Sequence, residues 1–178
     1  ESALAQTYKG IEIVVVDDGS TDESLEIAKS YATRYPRNVF VYTHPDNRNL
    51  GISATINLAC RRSTGEYWSI MGSDDLLYPY KTQRQVDYMD RHAEIGWVYS
   101  RVEFIDEHGV FLNDFVGEDI TRDPRPIEKL IARNTIPAMT VLAHSGQLKR
   151  AGFHNEGLIY SDWEFWIRMA AVGKVGFI

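Results

Sequence analysis

The stretch Ile11-Glu-Ile-Val-Val-Val-Asp-Asp-Gly-Ser-Thr-Asp22 decides the fold class of this chain. Its first half is a short β-branched run with the near-continuous apolar character of a strand that is covered on both faces. The acidic, glycine-containing second half interrupts that strand, and Ser20 and Glu23 have the spacing of a capping box. We therefore predict a strand followed at once by a helix that extends to about Tyr35, which is the first unit of an α/β fold.

The alternation of strands and helices continues through the first hundred residues. The apolar patterns predict further strands at residues 39–43, 66–71 and 96–105 and helices at residues 52–62 and 79–92. The second half is mixed, with a hairpin near 106–112, a helix at 127–133, a strand at 138–143, a helical turn at 145–151 and a last helix starting at Ser161 or Asp162. This order predicts one α/β domain over residues 1–178 with a mixed, mainly parallel central sheet. Because the chain opens in the tail of a helix and closes on residues that enter a strand, we expect it to be part of a longer protein.

Composition and charge exclude several classes of protein. The 178 residues carry a formal net charge of −6 with acidic and basic residues interspersed, so no basic stripe is present that would bind nucleic acid irrespective of sequence. The single cysteine, Cys60, excludes a disulfide framework within the chain, and its apolar helical position predicts a core residue. No stretch has the roughly 18–20 apolar residues of a membrane span, and the N-terminus lacks the layout of a signal peptide. These features are typical of a cytoplasmic domain.

Two pairs of acidic residues follow predicted strands. Asp17 and Asp18 come after the first strand, and Asp74 and Asp75 come after the third. In open α/β sheets ligands bind outside the carboxyl ends of the strands, where paired carboxylates repel one another unless a cation, a ligand or water compensates. The alternative is turn chemistry, because Asp is favoured in turns and at helix starts. The residues alone leave both interpretations open.

A divalent metal suits such carboxylates. Hard oxygen ligands favour Mg²⁺ or Mn²⁺, whose coordination is commonly completed by the phosphates of a substrate. The metal would also offset the repulsion between an acidic domain and a diphosphate. Neither G-x-G-x-x-G nor G-x-x-x-x-G-K-[ST] occurs in the sequence, which disfavours a dinucleotide-binding dehydrogenase and a P-loop enzyme.

Asp162 is a separate candidate, because it precedes the aromatic residues Trp163 and Trp166. A carboxylate beside aromatic surface is suited to act as a general base, whereas the alternative is that Asp162 only caps the last helix. The histidines show no metal-ligand spacing and are expected in surface or loop positions; they are His44, His92, His108, His144 and His154.

Four stretches, in order and at similar spacing, resemble the motifs of the family 2 glycosyltransferases. They are residues 5–22, residues 49–57 with Gly65-Glu-Tyr67, Gly72-Ser-Asp-Asp-Leu-Leu-Tyr-Pro79 and Ser161-Asp-Trp-Glu-Phe-Trp-Ile-Arg168. The resemblance spans nearly the whole chain and implies the GT-A fold, a three-layer α/β/α sandwich. It also implies that the family's first strand, which helps to hold the nucleotide, lies upstream of Glu1, so that residues 1–178 are a single GT-A domain truncated at both ends.

The activity implied by the resemblance is an inverting transfer of a sugar. The donor would be a nucleotide-diphospho-sugar, with a UDP-sugar preferred, and the acceptor the hydroxyl of a saccharide or a lipid-linked molecule. Mn²⁺ or Mg²⁺ is the implied cofactor, and no nucleic-acid partner is expected. By analogy, the family suggests bacterial polysaccharide or glycolipid synthesis in the cytoplasm, at the inner face of the cell membrane, with membrane association through parts outside this chain.

The resemblance also assigns the donor side of the site. Asp18, the second acid of the first pair, is implied to contact the nucleotide base. Gly51 and Asn57 lie in a motif that is implied to shape the donor pocket without taking part in the chemistry.

The metal and the catalytic base are implied by the later motifs. Asp74 and Asp75 are implied to hold the ribose and the divalent metal, with Asp75 as the direct metal ligand. Asp162 is implied to deprotonate the acceptor hydroxyl. The sequence departs from the family at Gly72 and Ser161, where acidic residues are usual.

Two alternatives to this activity stay open, the first of them because of the departures at Gly72 and Ser161. One is a non-catalytic GT-A-like module that binds a nucleotide-sugar without turnover. The other is a nucleotidyltransferase, which is disfavoured because no basic or glycine-rich phosphate grip is visible near the N-terminus.

Overall fold

The computed structural model describes residues 1–115, 118–158 and 160–178. Its strands in chain order are β1 (Ile13–Asp17), β2 (Val39–Thr43), β3 (Tyr67–Trp68), β4 (Ile95–Tyr99), β5 (Val102–Ile105), β6 (Phe111–Phe115), β7 (Leu142–His144) and β8 (Lys174–Phe177). Its α-helices are α1 (Ser24–Arg34), α2 (Ile52–Arg62), α3 (Lys81–Arg91), α4 (Pro126–Ala132), α5 (Ser145–Ala151) and α6 (Ser161–Val172). Short 3₁₀ turns lie at Pro45–Asn47, Ile120–Arg122 and Ala138–Thr140.

The strands pair in three groups. β1 and β2 form a parallel pair in which Ile13 lies opposite Val39 and Asp17 opposite Thr43. A four-stranded sheet has the order β3-β7-β4-β8, and β5 and β6 form an antiparallel hairpin. Within the four-stranded sheet β8 is parallel to β4, whereas β7 is antiparallel to both of its neighbours. The mixed sheet is therefore confirmed, but the parallel pairs are limited to β1–β2 and β4–β8 in the described part of the chain.

The main core lies around β4, which has helices on both of its faces. Trp97 and Tyr99 of β4 are fully buried in one cluster with Trp166 of α6, and the rings of Trp97 and Trp166 stack at 5.9 Å. Val98 points to the opposite face and packs in a second cluster with Met89 of α3. Alternate residues of one strand thus contact different helical layers, as the period of a strand dictates. The packing of Trp166 against Trp97 and Tyr99 therefore holds the middle of α6 against β4.

Several element boundaries differ from the sequence prediction. The predicted strand at 96–105 is divided into β4 and β5, because β4 pairs with β7 and β8 while β5 leaves to pair with β6. The predicted strand at 66–71 is reduced to two residues, and residues 138–140 form a 3₁₀ turn that precedes β7. β2 and α2 have the predicted bounds.

The start of α1 also differs, because the capping-box prediction is wrong. The helix begins at Ser24, and neither Ser20 nor Glu23 makes a side-chain capping bond. Instead, the backbone N–H of Ser24 donates to Oδ1 of Asp22 (3.0 Å), and the N–H of Ser20 donates to Asp17. The Asp17 carboxylate thus accepts from the Ser20 N–H, the donor that Glu23 would have satisfied in a capping box.

The first strand is less covered than its apolar sequence suggests. Residues 13–16 are half-buried, and α1 contains no fully buried residue. Within the described residues β1 pairs with β2 alone, so its second edge has no strand partner there. No helix among the described residues has the length and apolar character needed to cross a bilayer.

Candidate active site

Asp17 is part of the turn that follows β1. Its carboxylate is buried, and Oδ2 accepts hydrogen bonds from the backbone N–H groups of Gly19 (3.1 Å) and Ser20 (3.0 Å). Gly19 adopts φ +79°, and a Cβ there would lie 2.8 Å from the backbone of Asn47 and Asn49, so the turn requires glycine. For Asp17 the turn-chemistry interpretation is therefore correct.

Asp18 joins the end of β1 to the loop that starts α2. Its Oδ1 accepts from the N–H of Leu50 (2.7 Å), and its Oδ2 accepts from the N–H of Gly51 (3.0 Å). Gly51 has φ +89° and directly precedes α2. The structure thus brings together two of the predicted donor-side residues, Asp18 and Gly51, although they are far apart in the sequence.

His44 belongs to the same group: it lies in a loop, as expected, but not at the surface. Its side chain is buried, and Nε2 lies 3.0 Å from Oγ1 of Thr55 and 3.6 Å from Oδ1 of Asp18. The Thr55 hydroxyl in turn donates to the carbonyl of Gly51 (3.0 Å). His44 and Thr55 therefore support the Asp18 carboxylate from within the protein, and sequence reasoning missed both because neither lies in a charged or metal-binding pattern.

The second acidic pair converges on Gly72. Oδ2 of Asp75 accepts from the N–H of Gly72 (2.8 Å). A Cβ placed on Gly72 would lie 2.8 Å from Oδ1 of Asp74 and 2.9 Å from Oδ2 of Asp75. One oxygen of each carboxylate is thus directed to the same small space, which only a residue without a side chain leaves open.

This arrangement fits a cation that takes few protein ligands. Within the described residues, no group of three or more His, Cys, Asp or Glu side chains is placed to hold a metal ion. Two carboxylate oxygens at one position suit Mg²⁺ or Mn²⁺, which bind through one or two carboxylates and complete their shell with waters and phosphate oxygens. The residues present therefore fit the divalent metal that the resemblance implies.

Lys81, the first residue of α3, follows the acidic loop in the sequence. Its Nζ donates to Oγ of Ser69 (3.2 Å) and to the carbonyl of Val141 (3.5 Å), and the Ser69 hydroxyl donates to the same carbonyl (2.7 Å). Burial lowers the pKa of the Lys81 ammonium to about 7. Sequence reasoning missed this lysine, because a single basic residue at a helix start has no distinguishing pattern.

Asp162 is the second residue of α6 and is half-buried. Its Oδ2 accepts from the Asn134 side-chain amide (3.1 Å), and no side chain caps the helix. The two neighbouring tryptophans differ in burial. Trp166 is fully buried, whereas Trp163 is half-buried and its ring N–H donates to the carbonyl of Leu130. The simple helix-cap alternative is thus not supported, and Asn134 is a partner that the sequence did not indicate.

Asn57 lies in the interior. Its side-chain amide donates to the carbonyl of His154 (2.9 Å) and to Oε1 of Glu156 (2.8 Å), and its Oδ1 accepts from the N–H of His154 (2.8 Å). The structure therefore does not join Asn57 to Asp18 and Gly51. It joins α2 to the segment that leads into α6.

Cys60 is buried in the core, as predicted. Burial raises the pKa of its thiol to about 12, so the thiol is protonated at neutral pH. A nucleophilic role for Cys60 is accordingly disfavoured.

Known proteins of one family match most of this chain. The model of the glycosyl transferase family 2 matches residues 1–154. An amylovoran biosynthesis glycosyltransferase of Erwinia amylovora is 30% identical over 97% of this chain and 63% of its own length. The chain spans about half the length of the first of the curated relatives that it matches, 55% in that case.

Solved structures show the same fold. The Staphylococcus aureus protein TarS in complex with UDP-GlcNAc superposes with a TM-score of 0.78, at 20% identity, over 99% of this chain and 50% of that one. The mannosyltransferase PcManGT of Pyrobaculum calidifontis, in complex with GDP-Man and Mn²⁺, superposes with a TM-score of 0.71, at 17% identity, over 98% and 48%. The architecture of this chain is that of the GT-A glycosyltransferases, and the chain belongs to glycosyl transferase family 2.

Proposed function

We propose that this chain is the catalytic domain of an inverting, metal-dependent glycosyltransferase. The observation that carries the proposal is the convergence of one oxygen each from Asp74 and Asp75 on the space at Gly72. Two structural neighbours hold nucleotide-sugars, UDP-GlcNAc in one case and GDP-Man with Mn²⁺ in the other, which supports a donor of the same class. We take a UDP-sugar as the preferred donor.

The donor side of the proposed site is built on Asp18. Its carboxylate is held by two backbone N–H groups and lies at the carboxyl end of β1, where ligands of open sheets bind. We assign it to the nucleotide base, with Gly51 shaping the pocket through the loop that it shares with Asp18. We assign Asn57 an indirect role in shaping the donor pocket, because its side chain is hydrogen-bonded to His154 and Glu156.

Asp75 is assigned as the direct metal ligand, and Asp74 as a ligand of both the ribose and the metal. When bound, Mn²⁺ or Mg²⁺ would stabilise the negative charge of a nucleotide diphosphate. Such a metal requires the carboxylates to lie close together, and the hydrogen bond from the Gly72 N–H holds the Asp75 carboxylate in place.

Asp162 is assigned as the general base. It would take the proton of the acceptor hydroxyl while the acceptor oxygen bonds to the anomeric carbon. The bond between that carbon and the diphosphate breaks in the same step, and its electron pair leaves with the nucleotide diphosphate. A single displacement inverts the anomeric centre and requires no enzyme nucleophile.

The acceptor and the location are proposed by analogy. The name of the Erwinia relative refers to the biosynthesis of amylovoran, which supports a saccharide or lipid-linked acceptor in bacterial polysaccharide assembly. We place this activity in the cytoplasm, at the inner face of the membrane.

The first experiment is a calorimetric titration of the full-length protein with UDP, GDP and dTDP, with and without Mn²⁺. We expect one nucleotide, UDP, to bind tightly and only with the metal. Asp75→Ala should abolish the metal-dependent part of binding, whereas Asp87→Asn, which alters an exposed carboxyl on α3, should leave it unchanged. Equal binding with and without Mn²⁺ in the unmodified protein would exclude the metal role.

The second experiment tests the base. Asp162→Asn keeps an oxygen that can accept from the Asn134 amide, so the local structure should persist while the proton acceptor is lost. We expect unchanged UDP binding and a loss of transfer of at least about 100-fold, the upper range of general-base contributions being about 10⁴-fold. Retained transfer would contradict the assignment.

The non-catalytic alternative has its own signature. Gly72 and Ser161 replace residues that are usually acidic in the resembled motifs, and this observation favours a binding module without turnover. Metal-dependent UDP binding by the full-length protein, without transfer or UDP-sugar hydrolysis across a broad panel of saccharide and lipid-linked acceptors, would establish that alternative.

A further inference from the structure

A buried chain of polar side chains connects α2 to the first turn of α6. The hydroxyl of Ser53 donates to Oγ of Ser161 (2.7 Å), and Nδ1 of His154 lies within hydrogen-bond distance of the same oxygen (3.3 Å). All three residues are buried, with 6%, 4% and 4% of their surface exposed for Ser53, Ser161 and His154 respectively. Ser161 directly precedes Asp162, so this chain of polar side chains ends one residue before the proposed base.

α2 holds this junction at two points on one face. Ser53 and Asn57 are four residues apart, a spacing that places both side chains on the same side of a helix. Ser53 contacts the hydroxyl of Ser161, and Asn57 holds the backbone N–H and the carbonyl of His154. The imidazole of His154 is therefore fixed through its own backbone as well as through Ser161.

The ring of His154 is further fixed by packing. It stacks on Phe165 with the ring centroids 4.2 Å apart, and its Nε2 is buried without a hydrogen-bond partner in the described part of the chain. Burial, reinforced by the nearby Arg168, lowers the pKa of His154 to about 4, although Asp162 and Glu164 act in the opposite direction. The imidazole ring is therefore neutral at physiological pH. The Ser161 hydroxyl accordingly contacts an uncharged ring nitrogen and not an imidazolium cation.

The polar composition of this junction calls for a reason other than stability. Buried hydroxyls contribute little net stability, and replacing both partners of such a bond by apolar groups of similar shape is often nearly neutral. Hydrogen bonds are directional, however, and they fix the separation and orientation of the groups that they join. At this position they fix the helix turn that carries Asp162 relative to α2, which directly follows Gly51.

We propose that Ser53, His154 and Ser161 form a positioning unit that holds Asp162 in register with the donor side of the site. The consequence for catalysis rests on the proposed function, in which Asp162 is the base and Gly51 belongs to the donor pocket. In the resembled motifs position 161 is usually acidic, whereas here it is Ser161. The Ser161 hydroxyl is held by the Ser53 hydroxyl and by the neutral imidazole of His154. It therefore orients the helix turn without placing a second negative charge beside Asp162.

Kinetic measurements on the full-length enzyme test the consequence for transfer. We expect Ser161→Ala to lower kcat by about 10- to 100-fold, because small displacements of a catalytic group are costly, while KM for the donor stays within about twofold. Ser53→Ala should have a similar effect, and the double variant should fall no further than Ser161→Ala, because Ser161→Ala already removes the bond to Ser53 together with the contact to His154. Ser161→Thr, which retains the hydroxyl, should recover most of the activity.

Ser63→Ala is the matched control. Ser63 lies just after α2 at its opposite end, and its hydroxyl also makes one hydrogen bond, to the carbonyl of Cys60 (3.0 Å). This variant should retain the kcat of the unmodified enzyme. If Ser63→Ala lost as much kcat as Ser53→Ala, the proposal would be overturned. Additive losses of kcat in the double variant Ser53→Ala/Ser161→Ala would also overturn it.

Amide hydrogen exchange provides a readout that does not depend on activity. In Ser53→Ala and Ser161→Ala, peptides covering the first turn of α6 should lose protection, while α3 keeps its protection and the thermal midpoint changes little. Unchanged exchange at this turn, or equal loss throughout the molecule, would overturn the positioning unit. If the unmodified enzyme transfers no sugar, the proposed function fails, and the exchange result still decides whether the unit exists.

Discussion

Gly72 is the residue at which the carboxylates of Asp74 and Asp75 meet. A methyl group at Gly72 would lie 2.8 and 2.9 Å from their oxygens, closer than a Cβ ordinarily approaches other atoms, so Gly72→Ala must move the carboxylates. We expect Mn²⁺-dependent UDP affinity to fall about tenfold, which corresponds to about 1.4 kcal/mol, with little change in Tm because the loop is exposed. Calorimetric titration measures this. Gly146→Ala, whose Cβ would meet nothing closer than 3.8 Å, is the control, and an equal effect there would refute the explanation.

Cys60 provides a second test at the level of one residue. Burial raises the pKa of its thiol to about 12, so at pH 8 only on the order of one thiol in ten thousand is ionised. Since the thiolate is the reactive form, native protein should resist iodoacetamide, and one equivalent should react promptly after unfolding in guanidinium chloride. Mass spectrometry follows the modification. Rapid alkylation of the native protein would show that the thiol is accessible.

At this scale the sequence identified the charged candidates but not their partners. Asp18, Asp75 and Asp162 stand out because they lie near strand ends and a helix start and belong to ordered motifs, although Asp is also common at such positions for structural reasons. The partners His44 and Asn134 could not be predicted, because they approach Asp18 and Asp162 from segments that are distant in the sequence. A side chain that acts through a tertiary contact leaves no local signal.

At the level of the elements, Asn57 connects α2 to the segment that enters α6. Asn57→Ala removes three hydrogen bonds to the backbone of His154 and the side chain of Glu156, and it leaves buried polar groups of the backbone unpaired. At about 1 kcal/mol for each bond, we expect the free energy of unfolding to fall by about 3 kcal/mol. Urea denaturation measures this. Asn155→Ala, which removes one exposed bond to Gly157, should cost much less, and equal losses would contradict the role assigned to Asn57.

The elements themselves were predicted where their limits depend on local sequence. Helix α2 and strand β2 have the expected bounds, because each is an apolar pattern with breaking residues at its ends. β3 was predicted too long, because a strand extends only as far as its partner: β7 has three residues, and β3 pairs with it at Tyr67 and Trp68 alone. The pairing of β3 with β7 joins segments that are remote in the sequence. The apolar pattern at residues 66–71 therefore could not show where β3 ends.

For the whole molecule, the fold class was predictable from ordered motifs, whereas the sheet order was not. The sequence Val39–Thr43 indicates a strand but not its neighbour, and the antiparallel insertion of β7 between β3 and β4 has no local signal. The four motifs carried the prediction, because they occur together, in order and at similar spacing along the chain.

Lys81 allows a test of the whole molecule through its stability. Burial lowers the pKa of its ammonium to about 7 in the folded protein, against an ordinary value of 10.5, so between these values the unfolded chain binds more protons. The free energy of unfolding should therefore rise as the pH increases from 7 to 8.5, because the cost of burying Lys81 is largest near pH 7 and decreases as the pH rises. This window lies below the ionisation of Tyr67 and Tyr99, whose raised pKa values of about 12 act in the opposite direction at higher pH. The thiol of Cys60 begins to ionise in the unfolded chain near pH 8.5 and opposes the slope, but it does so equally in every variant compared.

Lys81→Met keeps the apolar stem but removes the titrating group. Urea denaturation at pH 7.0, 7.75 and 8.5 should therefore give a smaller positive slope of unfolding free energy against pH for Lys81→Met than for the unmodified protein. Lys174→Met, at an exposed lysine of β8, is the control and should keep the slope of the unmodified protein. Identical slopes in all three proteins would mean that the Lys81 ammonium is hydrated in the folded state, and that its contacts with Ser69 and Val141 do not hold it in the interior.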